Sequence, residues 1–280
     1  MARAACGQSV RDASVLPPES SGVDVERSSA VTQPRADLLE ELERVAAHIR
    51  DSGLLIRVTG GLGIHYWCQC SSREPFQREY ADLDLAVGRR VKPSAVDTFM
   101  VELGYTPDGE FNALHGEQQL YYEDVANGRH VDVFVEYLRM CHAVRLGHRL
   151  VLTDVAVSPS DLLLTKLQIV ELNDKDVRDV LALLCAKRLV GGSPTELDVD
   201  YLGKVWGSGW PLWRTCLGSL ARAAEELGRI RDDGERERVG EQIERLRGLM
   251  RDCPKTAKWK ARAIIGERLR WYDLPEEVAR

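Results

Sequence analysis

Two short segments constrain this chain more than any others: Ala81-Asp82-Leu83-Asp84-Leu85-Ala86-Val87 and Val131-Asp132-Val133-Phe134-Val135-Glu136. Both alternate with period two, and each predicts a strand with one buried face. Leu83, Leu85 and Val87 share one side of the first strand, with Asp82, Asp84 and Ala86 on the other. The three valines of the second strand lie opposite Asp132, Phe134 and Glu136. If the strands are neighbours, one sheet face packs under helices and the other carries three carboxylates. A solvated face of two amphipathic strands is the plainer reading. Against it, aspartate is depleted in strands, and like charges side by side repel. No Lys or Arg lies within either apolar run to neutralise them. Carboxylates about 7 Å apart along one strand, with a third from its neighbour, suit two divalent cations roughly 4 Å apart. Oxygen donors without His or Cys select Mg²⁺ or Mn²⁺.

Upstream stands Val58-Thr59-Gly60-Gly61-Leu62-Gly63, where an apolar strand ends, two glycines turn and a helix begins. Glycine lets a backbone approach a ligand closely, and a helix N-terminus favours phosphate. Alone, Gly-Gly at a strand end usually marks a turn. A glycine turn, then an Asp-x-Asp strand, then an aspartate on a later strand is a much rarer order.

That order resembles the nucleotidyltransferase fold of the DNA polymerase β superfamily. It is closest to the AbiEii-type nucleotidyltransferase-like proteins, which include abortive-infection toxins. The likeness rests on Gly60-Gly61, on Arg78 four residues before Asp82, and on Asp82 and Asp84. It extends through Lys166 within Leu162–Leu167, and Lys175, Asp176 and Asp179 within 174–179. It covers about residues 54–184, and an inserted charged stretch, 73–77, departs from it. The fold implied is α+β, a mixed β-sheet with helices on one face, followed by an all-helical C-terminal region. The activity implied is metal-dependent transfer of NMP from an NTP to a hydroxyl of a small molecule, tRNA or protein. Asp82, Asp84 and Asp132 would be the catalytic and metal-binding residues, with Glu136 and Glu123 as substitutes for the third. Gly60, Gly61, Arg78 and Lys166 would meet the nucleotide, although Arg78 could instead pair with a site carboxylate, and Lys166 could lie along its helix with its head in water. Lys175, Asp176 and Asp179 read as capping and surface pairing. The resemblance also admits a non-catalytic nucleotide-binding relative, or a toxin with an antitoxin partner.

The rest of the chain supplies a frame. Residues 1–34 hold few large apolar residues and read as a disordered leader. An αβ domain is expected over 35–158 and a helical domain over 159–280. Helices are expected from Leu38 to Gly53, from Leu62 to Gln69 and from Pro93 to Leu103. Strands 118–125 and 130–136 flank Asn127-Gly128, a strong hairpin signal. A further strand pair is expected within 149–157. Ser160-Asp161 and Asn173 are the expected starts of two helices, and three more should follow residue 194.

With 38 basic and 44 acidic residues among 280, the formal charge is −6, which argues against a general nucleic-acid coat protein. No uncharged apolar run approaches a membrane span, and the N-terminus lacks an apolar export core. A cytoplasmic protein with reduced thiols follows from the seven scattered cysteines. Cys68, Cys70 and His65 read as part of a buried helix, since a structural zinc needs a fourth ligand. From Lys255 to Arg270 six basic residues face one acidic, Glu267. This reads as a solvated helix with Trp259 and Trp271 in the core, the alternative being a phosphate-binding segment. Trp206, Trp210 and Trp213 read as a packing corner.

Overall fold

The computed structural model describes residues 32–274, which belong to one compact unit. Most of the expected leader, residues 1–31, lies outside the described residues. Residues 32–34 correct its boundary. Thr32 donates its N–H to Glu102 O at 3.3 Å, Arg44 donates to Thr32 Oγ1 at 2.6 Å, and Pro34 is buried.

Helix α1, Leu38–Ser52, begins where the Asp37 carboxylate accepts from the N–H groups of Leu39 and Glu40, and ends at Gly53 with φ 65°. Strand β1 is Ile56–Val58, and helix α2 is Gly60–Trp67, so both glycines already belong to the helix. A 3-10 turn, Gln69–Ser72, follows. Strand β2 is Leu83–Val87, two residues shorter than expected, which leaves Asp82 just before the strand. Helix α3 is Pro93–Glu102, with proline in its first turn as its fixed φ favours. Strand β3 (Thr106–Pro107) and helix α4 (Gly109–His115) lead to the hairpin of β4, Gln119–Asp124, and β5, Arg129–Val135.

These five strands form one sheet in the order β1-β2-β5-β4-β3. Its central pair, β2 and β5, is parallel, and the other pairs are antiparallel. The expected apolar face is the core. Leu83, Leu85, Val87, Val131 and Val133 pack with Leu42, Val45 and Ile49 of α1 and Val96, Phe99 and Met100 of α3. The second face is not left bare, as helices on one face alone would leave it. Ala86 is 1% exposed there and joins, with Phe134, the core built by the C-terminal helices.

The expected strands within 149–157 do not form as a pair. The hairpin lies earlier, in β6 (Tyr137–Arg139) and β7 (Ala143–Arg145), where Leu138 and Val144 turn inward. Residues 150–152 make a 3-10 turn that buries Leu150, and Ala156 only bridges Val58.

Helix α5 is Pro159–Leu167, capped by Ser158 rather than by Ser160-Asp161. Asp161 is instead a buried partner of Arg149, at 2.9 Å. Helix α6, Asp174–Ala186, is capped by Asn173 as expected. The region beyond is not wholly helical, because β8 (Leu189–Val190) and β9 (Leu197–Asp198) pair in parallel. Four helices rather than three then follow among the described residues: α7 (Val199–Ser208), α8 (Trp210–Glu225), α9 (Asp233–Asp252) and α10 (Ala257–Ile265). Leu162, Leu181, Trp206, Leu220 and Leu246 share one core with Ala86 and Ile64, so the two halves are packed as one body.

Trp206 is buried, and Trp213 meets Trp259 edge-on at 5.2 Å, which makes a packing corner of these tryptophans. Trp259 and Trp271 are half-buried covers rather than core residues. In the basic segment Lys255 donates to Met250 O and Cys253 O, and Arg262 to Gly266 O and Leu269 O. No helix among the described residues is long and apolar enough to cross a membrane.

Candidate active site

The site begins with register. In the parallel pair β2–β5, Asp84 stands directly opposite Asp132, on the face away from the valines. Neighbouring strands lie about 4.8 Å apart, so the two carboxylates are forced together by backbone pairing. Gln119, two residues from Asp132's partner on β4, reaches diagonally and donates Nε2 to Asp132 Oδ1 at 2.6 Å. Asp82 is exposed, just before β2. Burial, together with repulsion from Asp82 and Asp132, pushes the Asp84 carboxyl up to about 7; Lys166 and Arg78 act in the opposite direction. The three aspartates therefore share one electrostatic neighbourhood.

Gly60 and Gly61 belong to the same neighbourhood. Gly60 has φ 61°, and a Cβ there would stand 1.9 Å from Asp84 Oδ2. A Cβ on Gly61 would stand 1.6 Å from an Arg78 guanidinium nitrogen. Thr59 begins α2 with no side-chain cap, and its N–H donates to Asp84 O at 2.8 Å. The double glycine is thus the surface on which Asp84 and Arg78 lie. Gly60→Ala is expected to destabilise the protein by about 2–3 kcal/mol through positive φ and the clash with Asp84. Chemical denaturation checks this; a loss below about 0.5 kcal/mol would remove the close approach from the account.

Arg78 and Lys166 are both paired with carboxylates, so the head of Lys166 does not lie in water. Arg78 Nε lies 3.0 Å from Asp179, and Lys166 Nζ lies 2.8 Å from Asp176 and 2.9 Å from Asp179. Asp176 and Asp179 are buried, which corrects their reading as surface pairing; only Lys175 is exposed. Asp179 is the residue that sequence reasoning undervalued. Its signal was its place six residues after the cap Asn173, on the apolar side of α6 with Val177 and Val180.

The substitutes for the third carboxylate are placed elsewhere. Glu136, at φ 66° beyond the end of β5, accepts from Arg145 Nε at 2.6 Å and from the Arg89 N–H. Burial opposes its charge, yet these donors hold its carboxyl below the usual range. Glu123 is exposed opposite His130. Asp132 alone faces Asp84. Among Cys68, Cys70 and His65, Cys68 is buried in the core, Cys70 turns to Ala182 O, and His65 Nδ1 meets Ser71 Oγ at 2.9 Å. A cleft of about 470 Å³, lined in part by His65, Ser71, Gln77, Arg78, Tyr80 and Arg129, opens beside Arg78. Its size lies within the range of small-molecule sites.

Among the described residues, no three His, Cys, Asp or Glu side chains stand as a ready-made metal cluster. The donor chemistry nevertheless fits a hard divalent cation. Asp82, Asp84 and Asp132 are all oxygen donors, and the other two help burial to raise the Asp84 carboxyl, a repulsion that a cation would relieve.

The chain matches no family model, no curated protein and no solved structure.

Proposed function

We propose that this chain transfers a nucleoside monophosphate from an NTP to a hydroxyl group of a small molecule, tRNA or protein. The observation that carries the reading is Asp84 facing Asp132 in register, raised to about 7 with Asp82 nearby, and seated on a double glycine at a helix start. Asp82, Asp84 and Asp132 would hold Mg²⁺ or Mn²⁺. The ion, when bound, neutralises the triphosphate and the departing pyrophosphate. The exposed Asp82 side chain is free of the strand's constraint and can turn toward the pair on β2 and β5. Gly60 and Gly61 bring the α2 backbone N–H groups to the phosphates. Arg78, lying over Gly61, adds positive charge there, and Asp179 fixes its direction. Lys166 supports the same field from beneath, fixed by Asp176 and Asp179. Asp132, oriented by Gln119, takes the proton of the acceptor hydroxyl.

A second reading is a nucleotide-binding module without catalysis, favoured by the lack of a preset three-carboxylate cluster among the described residues. Calorimetry with ATP and CTP separates the two. Transfer requires NTP binding in Mg²⁺ or Mn²⁺ that weakens at least tenfold in EDTA. Equal affinity with and without metal would leave the binding module standing and remove the metal-dependent reaction.

A further inference from the structure

We propose that Cys70 and Cys185 form a redox-active dithiol that reacts with hydroperoxides, Cys185 attacking and Cys70 resolving. The inference stands apart from nucleotidyl transfer.

Cys70 sits in the 3-10 turn after α2, and its Sγ lies 3.5 Å from Ala182 O of α6. Cys185 is three residues beyond Ala182 on that helix, hence on the same face. Cys70 and Cys185 are thus neighbours, and each acts on the other's thiol. Arg238 of α9 places Nη2 3.5 Å from Cys185 Sγ. The hydrogen bond from Cys70 lowers the Cys185 thiol, as does Arg238, against burial and the nearby Glu235. Cys70, as donor, is raised. The Arg238 cation beside its sulfur thus favours the thiolate at Cys185 rather than at Cys70, the division that attack and resolution require.

The pair is also accessible. Both residues are half-buried, whereas Cys68, Cys141, Cys216 and Cys253 are buried. Burial pushes the Cys68 and Cys216 thiols up to about 12. Reactivity follows thiolate character and exposure, which coincide at Cys185 alone among the described cysteines.

The chemistry balances. The Cys185 thiolate attacks one peroxide oxygen, the O–O bond breaks, and hydroxide leaves to be protonated to water by the proton Cys185 released. The Cys70 thiol then attacks the Cys185 sulfenic sulfur, the S–O bond breaks, and a second water leaves. Two thiols are oxidised to one disulfide while one hydrogen peroxide is reduced to two waters. The new bond ties the turn after α2 to the end of α6, so it joins the helix bearing Gly60 and Gly61 to the helix bearing Asp176 and Asp179.

The test uses the reduced full chain and hydrogen peroxide at one equivalent. Peptide mapping should find Cys70 joined to Cys185, with an intact-mass loss of two hydrogens. In the untreated protein, iodoacetamide should label Cys185 at least tenfold faster than any of the four buried cysteines. In C70S the Cys185 sulfenic acid should persist and be trapped by dimedone; C70A serves if C70S does not fold. Oxidation without the Cys70–Cys185 peptide, or labelling of Cys185 no faster than of the buried thiols, would overturn the proposal.

Discussion

Asp84→Asn is expected to stabilise the metal-free protein at pH 8 and to abolish Mg²⁺-dependent nucleotide binding. The stability half follows from proton linkage. Asp84 is raised from an ordinary value near 3.8 to about 7. Between those values the folded chain keeps a proton that the unfolded chain has lost, so stability falls as pH rises through the window. The penalty is absent below the lower value and complete above the upper one. Asn keeps the shape without the charge, so its advantage should be about 1–3 kcal/mol at pH 8, and should vanish near pH 4. The ligand half has the opposite sign. Saturating MgATP or MgCTP should raise the melting temperature of wild type far more than that of Asp84→Asn or Asp132→Asn. Transfer, with an acceptor in hand, should drop at least a hundredfold. If these aspartates were solvated strand positions, each change would leave both quantities within about 0.5 kcal/mol. A nucleotide-induced shift that survives both substitutions would sink their assignment as ligands.

Asp179→Ala should be the most damaging single change to stability in this region. The carboxylate is buried and lies within 3.0 Å of Arg78 and 2.9 Å of Lys166. Its removal strands Arg78 without a carboxylate and leaves Lys166 with Asp176 alone. Breaking a buried ion pair by deleting one partner costs about 3–5 kcal/mol, because the surviving charge stays desolvated. Surface pairs cost less than about 1 kcal/mol. A melting-temperature loss of about 6–15 °C is expected for a chain of this size. Nucleotide affinity should fall with it, since Arg78 over Gly61 loses its anchor. A loss of only 1–2 °C would return Asp179 to the surface-pairing role its sequence suggests.

The carboxylate strands were legible in sequence because period-two alternation is a local signal. Val131 and Val133 had to face inward, so Asp132 had to face out beside Asp84. The hairpin at Asn127-Gly128 was legible for the same local reason, through Gly128 at φ 64°. Electrostatic partners were not. Arg78 and Asp179 are about a hundred positions apart, and no periodicity relates a loop arginine to one face of a later helix. The site's glycines were legible as the junction of a strand and a helix, but not their place inside α2 nor the fact that Asp84 and Arg78 lie on them. The misplaced strand pair at 149–157 shows the opposite error. Its β-branched run promised a ladder, yet burying Leu150 in a 3-10 turn left only Ala156 at the sheet edge.

The parallel pairing of β2 with β5 also sets when the site can exist during folding. β4 and β5 are joined by four residues and can close first, since short loops lose little entropy. Asp84 and Asp132 meet only after α3, β3, α4 and β4 have been laid down between them. Their encounter is therefore a late, long-range event that must overcome both loop closure and the mutual repulsion of two carboxylates. A divalent cation held by the two carboxylates, as proposed above, would lower that barrier, so metal present during folding should speed the step that joins β2 to β5.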